Sequence, residues 1–364
     1  MNAGRDVGGV NISSDYNSTA QENNPWYQTV LHFQTGILIV VVIVGLVGNI
    51  LAAGTFLSPN LRKTSCCLYL ATKSINDLLF LLSLVIVWLY RLDVPVFETI
   101  GVCQATVFVT YTTGFLSVWF VVIITWENFI RVSLPSHVAR LCNVKRAKYT
   151  IVILIIISVG MYSFSLWTTG LISSRINSSC LVFEKYEKLL VAMTCVDSIL
   201  TLVIPLIVMV FLNIAISITA IQSHERRKRL FESIPMTSIH RRNETSVLEM
   251  KVSKLLFAVS IIFLLLHTPS HVIRIKMMVL QSIYKTKPSL SDRVLHRIFE
   301  LVYYMNFSVH CGVYLVFGDN FRMIFKRLYC SGCKKAENAQ IHTSSKRCSE
   351  TEAMFEQCKN IDIE

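Results

Sequence analysis

The sequence predicts an all-α fold: a seven-transmembrane helix bundle followed by a short amphipathic eighth helix. Three observations carry that expectation. The 364-residue chain is 53% hydrophobic and only 16% charged, with a mean hydropathy of +0.52, whereas soluble domains are about 25% charged. It contains seven apolar stretches long enough to cross a hydrocarbon core, for which about 20 residues suffice. Lysines and arginines gather in alternate connections between those stretches. A soluble helical bundle would instead alternate apolar and polar faces, and the first, third and fourth stretches show no polar face.

The stretches run Thr35–Phe56, Leu68–Tyr90, Gly101–Trp126, Tyr149–Ile172, Leu189–Ala220, Leu255–Val279 and Ile298–Phe317. The third carries no charge until Glu127, which Asn128 follows. Pro205 in the fifth and Pro269 in the sixth each remove a helical hydrogen bond and permit a kink. After the seventh, "DNFRMIFKRLY" reads as an amphipathic surface helix. The chain therefore divides into an outer tail (1–30), the bundle (31–318), the amphipathic helix (319–330) and a cytoplasmic tail (331–364).

Orientation follows from the basic residues. Arg62, Lys63, Arg131, Arg140, Lys145, Arg146, Lys148, the "HERRKR" link and Arg322, Lys326 and Arg327 all fall on one side. The positive-inside bias makes that side cytoplasmic and places the N-terminus outside, and the expected location is the plasma membrane. A net charge of +12 needs no nucleic-acid partner, because clusters on one membrane face account for it. The first stretch is expected to serve as its own insertion signal. Asn11, Asn17 and Asn177 begin outside N-x-Ser/Thr tripeptides and are candidate glycosylation sites, while Asn243 lies inside.

Cys103 and Cys180 are the two cysteines at the oxidising outer face, and are the expected disulfide. Cys330 and Cys333, next to the amphipathic helix and the lipid surface, are candidates for palmitoylation. No Gly-rich phosphate loop, HExxH or zinc pattern occurs, so no enzyme is expected. His267 and His271 are one helical turn apart, but no third metal ligand accompanies them.

Ionisable groups inside spans are costly and mark function by default. Asp77 sits too deep for a carboxylate to reach water, and needs buried partners, an ion or a proton. Asn49 stands at similar depth, Ser117 near the middle of the third stretch and Asn306 within the seventh, and one carboxylate with amide and hydroxyl oxygens suits a small cation such as Na+ with water. Together with "GN" ending at Asn49, "SINDLL", Cys103, Cys180, Glu127 at its spacing, Pro205, "FLLLHTP" with Phe263 and Pro269, and Tyr314 before Phe321, this order of features resembles a class A, rhodopsin-like G-protein-coupled receptor from Thr35 to Leu328.

The resemblance implies that Asp77, Asn49, Ser117 and Asn306 form the family's sodium and water cluster. It implies no other cofactor. It also implies that an extracellular agonist favours outward movement of helix six, which opens a cytoplasmic cleft to a heterotrimeric G protein. The chain departs from the family's pattern in "ENF" at Glu127, in His267 where a tryptophan is usual, in "HCGVY" from His310 to Tyr314, and in Lys73 one turn from Asp77.

Thr110 stands where amine receptors of the family keep an aspartate, and Tyr304 where opsins keep the retinal lysine. The remaining outer surface of Trp88, Tyr111, Asp197, His271, Arg274, Glu300, Tyr303 and Tyr304, with Thr110, mixes aromatic faces with charges of both signs. That surface suits a peptide ligand with an arginine and an amidated end. "YYMNFSV" and "HTP" look most like invertebrate neuropeptide receptors of the FMRFamide type. Alternatives from other classes are a seven-helix ligand-binding protein without G-protein signalling, such as a scavenger or arrestin-only receptor, and a transporter. A transporter would be expected to show symmetry of hydropathy between halves, which this sequence lacks.

At the cytoplasmic end, Arg131 follows Glu127 by one turn in the favourable order of acid before base. Asn128 replaces the family's arginine and is expected to reach Glu249 of helix six through a neutral hydrogen bond, about half as strong as a charge-assisted one. The expectation is a weakened latch. Ser344, Ser345 and Ser349 in the tail offer phosphorylation sites through which an arrestin could bind.

Overall fold

The computed structural model describes residues 24–173, 178–231, 240–282, 284, 286 and 288–330, with side chains left out for 172–173, 178–179, 224, 227–231, 240–252 and 281–282. Asn11, Asn17, Asn177, Cys333 and the tail serines lie outside the described residues. The described residues form a helical bundle with one two-stranded hairpin. We refer to the end bearing the hairpin as the outer end, following the charge bias of the loops.

Helix α1 spans Pro25–Phe56 and begins well before the expected Thr35. The Asn24 side chain accepts from the Trp26 N–H at 3.0 Å, and Pro25 occupies the first position, where its missing N–H costs nothing. The expected boundary at residue 31 therefore lies inside a helix. Helix α2 spans Ser65–Arg91 and α3 spans Val102–Ser133. Helix α4 spans Val144–Tyr162, capped at its start by the Asn143 side chain.

The fourth span ends earlier than its apolar run suggests. After a turn at Ser165–Thr168 the chain enters strand β1 (Thr169–Ser173), which pairs antiparallel with β2 (Ser178–Val182) and sets Leu171 opposite Cys180. Residues expected in the membrane thus pair across a hairpin at the outer end. Hydropathy alone could not separate these cases, because a buried strand and a buried helix segment look alike in a short apolar run.

Helix α5 consists of Glu187–Ser198 and Ile204–Phe231, joined by a π-helical turn at Ile199–Val203. The turn sits immediately before Pro205. That proline has no N–H for the Thr201 carbonyl, and its ring crowds it, so the extra residue of a π turn relieves the clash. Helix α6 spans His240–Ser282 with Pro269 inside.

Among the described residues, six helices are long and apolar enough to cross a membrane on their own; the seventh crossing is broken. Helix α7 consists of Leu290–Asn306 and His310–Phe317. Between them Phe307 and Ser308 bond back three residues, to the Tyr304 and Met305 carbonyls. No proline causes this break, since Cys311 stands in "HCGVY". Side chains of α1 and α7 hold it instead: Asn49 Nδ2 donates to the Phe307 carbonyl at 2.7 Å, and Ser308 Oγ donates to the Val41 carbonyl at 2.8 Å. Helix α8 spans Asp319–Tyr329.

Helices α1, α2, α3 and α7 meet in an aromatic interior. Phe80 stacks on Phe307 with centroids 3.7 Å apart, and Phe56, Tyr314 and Phe321 join α1, α7 and α8 at the basic end. The outward face of α1 exposes Val40, Ile43, Val44, Val47 and Ile50, as an acyl-chain environment requires.

Close approach of α1 to α7 depends on Gly45. A Cβ there would lie 2.5 Å from Ser308 Oγ and 2.6 Å from Leu81 Cδ1. Gly45→Ala is expected to destabilise the purified protein by about 1–3 kcal/mol through overpacking, read as a lower melting temperature. An unchanged melting temperature would show that Ser308 and Leu81 yield freely.

Candidate functional site

The outer half of the bundle holds a cavity of about 1040 Å³ between α2, α3, α5, α6, α7 and the hairpin. Thr110, Tyr111, Asp197, His271, Arg274, Glu300, Tyr303 and Tyr304 all line it. Trp88 does not. Its indole Nε1 donates to the Thr35 carbonyl at 3.1 Å, so it ties α2 to α1, and Val87 faces the cavity instead. Much of the lining is apolar: Phe80, Val87, Phe97, Val107, Phe115, Val118, Phe164, Leu181 and Leu190.

Asp197, Arg274 and Glu300 of the cavity are already paired, while Glu184 and Glu187 add two further carboxylates to its lining. The Tyr162 hydroxyl donates to Asp197 at 2.5 Å, and Arg274 Nη1 stands 3.7 Å from the same carboxylate. Glu300 accepts from Gln34 Nε2 and Tyr304 OH, each at 2.8 Å, and from Arg297 Nη1 at 3.2 Å, with Arg91 Nη2 at 3.8 Å. Arg297 Nε also donates to Tyr27 OH at 3.2 Å. Glu300 is therefore not the free carboxylate that a cationic ligand group would meet. Sequence reasoning missed Tyr162, Gln34, Arg91 and Arg297. Arg297 was visible as a base three residues before Glu300 on one helix face, while Gln34 and Tyr162 carry no signal along the chain.

The cavity floor is a ring stack. Phe263, His267 and His271 stack in succession with centroids 4.6 and 4.1 Å apart. His267 Nε2 lies 3.1 Å from the Thr201 carbonyl. A carbonyl only accepts, so this nitrogen carries the proton. The carbonyl is the one that Pro205 cannot serve, so the histidine of α6 satisfies what the proline of α5 leaves open. The Thr110 hydroxyl is engaged by the Thr106 carbonyl at 2.7 Å.

Below this floor lies a fully buried polar cluster. Lys73 Nζ stands 2.6 Å from Asp77 Oδ2 and 3.2 Å from Ser117 Oγ, and Ser117 Oγ stands 3.1 Å from Asp77 Oδ1. His310 Nδ1 is 3.8 Å from Asp77 Oδ2. The four residues expected around Na+ do not assemble into a cation shell. Of the three companions, Ser117 is the one hydrogen-bonded to Asp77. Asn49 directs its amide to the Gly45 and Phe307 carbonyls, and the Asn306 amide has no protein partner among the described residues.

At the basic end, Arg131 Nη2 and Ser65 Oγ each lie 2.5 Å from Glu127 Oε1. Asn128 is fully buried, and its Nδ2 donates at 3.2 Å to the Ser253 carbonyl of α6. The expected partner Glu249 lies one turn earlier on α6, with a side chain outside the described ones. The described contact is thus to backbone rather than carboxylate. Tyr314 is fully buried beside this end. In the nearby loop, burial pushes the Cys142 thiol up to about 11, so it remains protonated and a poor nucleophile. Cys330 ends α8 exposed and unpaired, and Cys103 is joined to Cys180.

Among the described residues, six spanning helices and a broken seventh, a hairpin held to the third by a disulfide, an outer cavity and an amphipathic helix after the bundle fit the seven-helix receptor class. The sequence profile of the 7 transmembrane receptor (rhodopsin family) matches residues 48–313, and the chain belongs to that family. G-protein coupled receptor 183-A of Danio rerio is 29% identical over 164 residues, covering 43% of this chain and 44% of that one. G-protein coupled receptor 183-B of the same fish is 28% identical over 149 residues, 40% of each chain. The chain aligns with less than half the length of these curated relatives.

Proposed function

We propose that this protein is a plasma membrane receptor, N-terminus outside, that binds an extracellular ligand in the outer cavity and promotes nucleotide exchange on a heterotrimeric G protein at the basic end. The observation that carries this reading is the reach of α6. It lines the cavity with His267, His271 and Arg274 and meets α3 at the other end through Asn128 and Ser253. A ligand that binds one placement of α6 better than another shifts the balance between them. The Asn128 contact is a neutral hydrogen bond, worth about 0.5–1.5 kcal/mol, so resistance at that end is small. Arrestin binding through the phosphorylated tail, and lipid anchoring at Cys330 and Cys333, complete the proposal.

Two ligand classes compete for the cavity. A short neuropeptide would insert its charged ends by exchange into the Glu300–Arg297 and Asp197–Arg274 pairs. A neutral amphipathic molecule would leave both pairs intact and cover the apolar lining; the pairs already formed favour it. Peptide and lipid libraries applied to cells with G-protein and arrestin reporters test both. Glu300→Gln is expected to weaken an arginine-bearing peptide agonist roughly tenfold and to leave a neutral agonist's potency within about threefold. Arrestin recruitment without nucleotide exchange, for every ligand, would replace the G-protein reading with the arrestin-only one.

A further inference from the structure

We infer that Lys73 is a tethered cation occupying the interior place that the family's resemblance assigns to Na+, so that this receptor holds its deep carboxylate without a metal ion. Both oxygens of Asp77 are engaged: Oδ2 by the Lys73 ammonium at 2.6 Å, Oδ1 by the Ser117 hydroxyl at 3.1 Å. The ammonium and the carboxylate are fully buried, so the cluster is electrically neutral as it stands. Adding Na+ would place a second positive charge beside the first in a site with little solvent to screen it.

Tethering gives Lys73 a further advantage. It is four residues from Asp77 on one helix, so pairing requires no capture from solution, whereas a free ion must give up its hydration shell and its translational freedom. The donor set points the same way, because Asn49 is committed to two backbone carbonyls of α1 and α7. What the cluster leaves unsatisfied is neutral: both amide atoms of Asn306 have no hydrogen-bond partner among the described residues. These groups suit water, which can donate and accept, rather than a cation.

The inference does not depend on the ligand or on G-protein coupling, since thermal stability reports it. The purified full-length protein in detergent is melted at about 150 mM NaCl, a physiological ionic strength, and at the same concentration of choline chloride. The wild type is expected to melt within about 1 °C in the two salts. Lys73→Met, which leaves a cation-sized space beside Asp77, is expected to gain a Na+-specific rise of roughly 2 °C or more, and Lys73→Met with Asp77→Asn to lose it. Lys73→Arg, which keeps the tethered charge, is expected to remain indifferent. A Na+-specific rise in the wild type that Asp77→Asn abolishes would overturn the inference, and this arm stands even where Lys73→Met does not fold. Indifference of a folded Lys73→Met protein would overturn it as well, because the lysine would then not be what excludes the ion.

Discussion

Lys73→Met in medium free of Na+ is expected to lower the unfolding free energy by about 3–5 kcal/mol, the cost of leaving one partner of a buried ion pair without its counter-charge. Lys73 and Asp77 are both fully buried, so solvent cannot supply a substitute. Removing both charges is expected to behave differently. Lys73→Met with Asp77→Leu fills the volume with apolar atoms, and such replacements range from neutral to about 1–4 kcal/mol stabilising. The double variant should therefore recover most of the loss, read as the denaturation midpoint in one detergent. If it proves as unstable as the single one, the loss belongs to packing around α2 and Ser117 rather than to an unpaired carboxylate.

The same pair shows what could be read along the chain and what could not. Both residues were visible as ionisable groups inside a span, and their spacing of one turn was visible too. The resemblance directed attention to Asn49, Ser117 and Asn306 as partners of Asp77, although a cation already stood on the same helix. Spacing along one helix is local information and was available, as was the depth of Asn49; the direction of its amide was not, since its target is a carbonyl freed by the break at Phe307. That break is equally silent in the sequence. It arises without proline, from hydrogen bonds between α1 and α7 that a linear reading cannot place.

The spans were legible for a physical reason. Hydrocarbon demands continuous apolar surface and internal backbone pairing, so the sequence must display each crossing openly. The outer end escapes that demand. There the chain turns from helix to strand at Thr169, adds turns to α1 before Thr35, and joins Glu300 to Gln34, Arg91 and Arg297 from three helices. Charges of both signs were expected there as anchors for a ligand. They are found bonded to one another, because a partly buried charge without a partner is expensive whether or not a ligand ever arrives.

Cys103→Ser and Cys180→Ser are each expected to cost about 2–5 kcal/mol, as loss of a native disulfide commonly does. The bond joins the first turn of α3 to β2 across a sequence separation of 77. A closure of that length removes much freedom from the unfolded chain. It also fixes the roof of the cavity, because Cys180, Leu181 and Val182 all line it. Losing the bond should therefore lower melting temperature and, in the reporter assay, abolish most of the response to any ligand that the hairpin covers. The double variant is expected to match each single one, since residues sharing one interaction are not additive. A double variant that loses the sum of both effects would mean that each cysteine acts through separate contacts, and that the hairpin is held to α3 by packing of Leu181 and Val182 rather than by the bond.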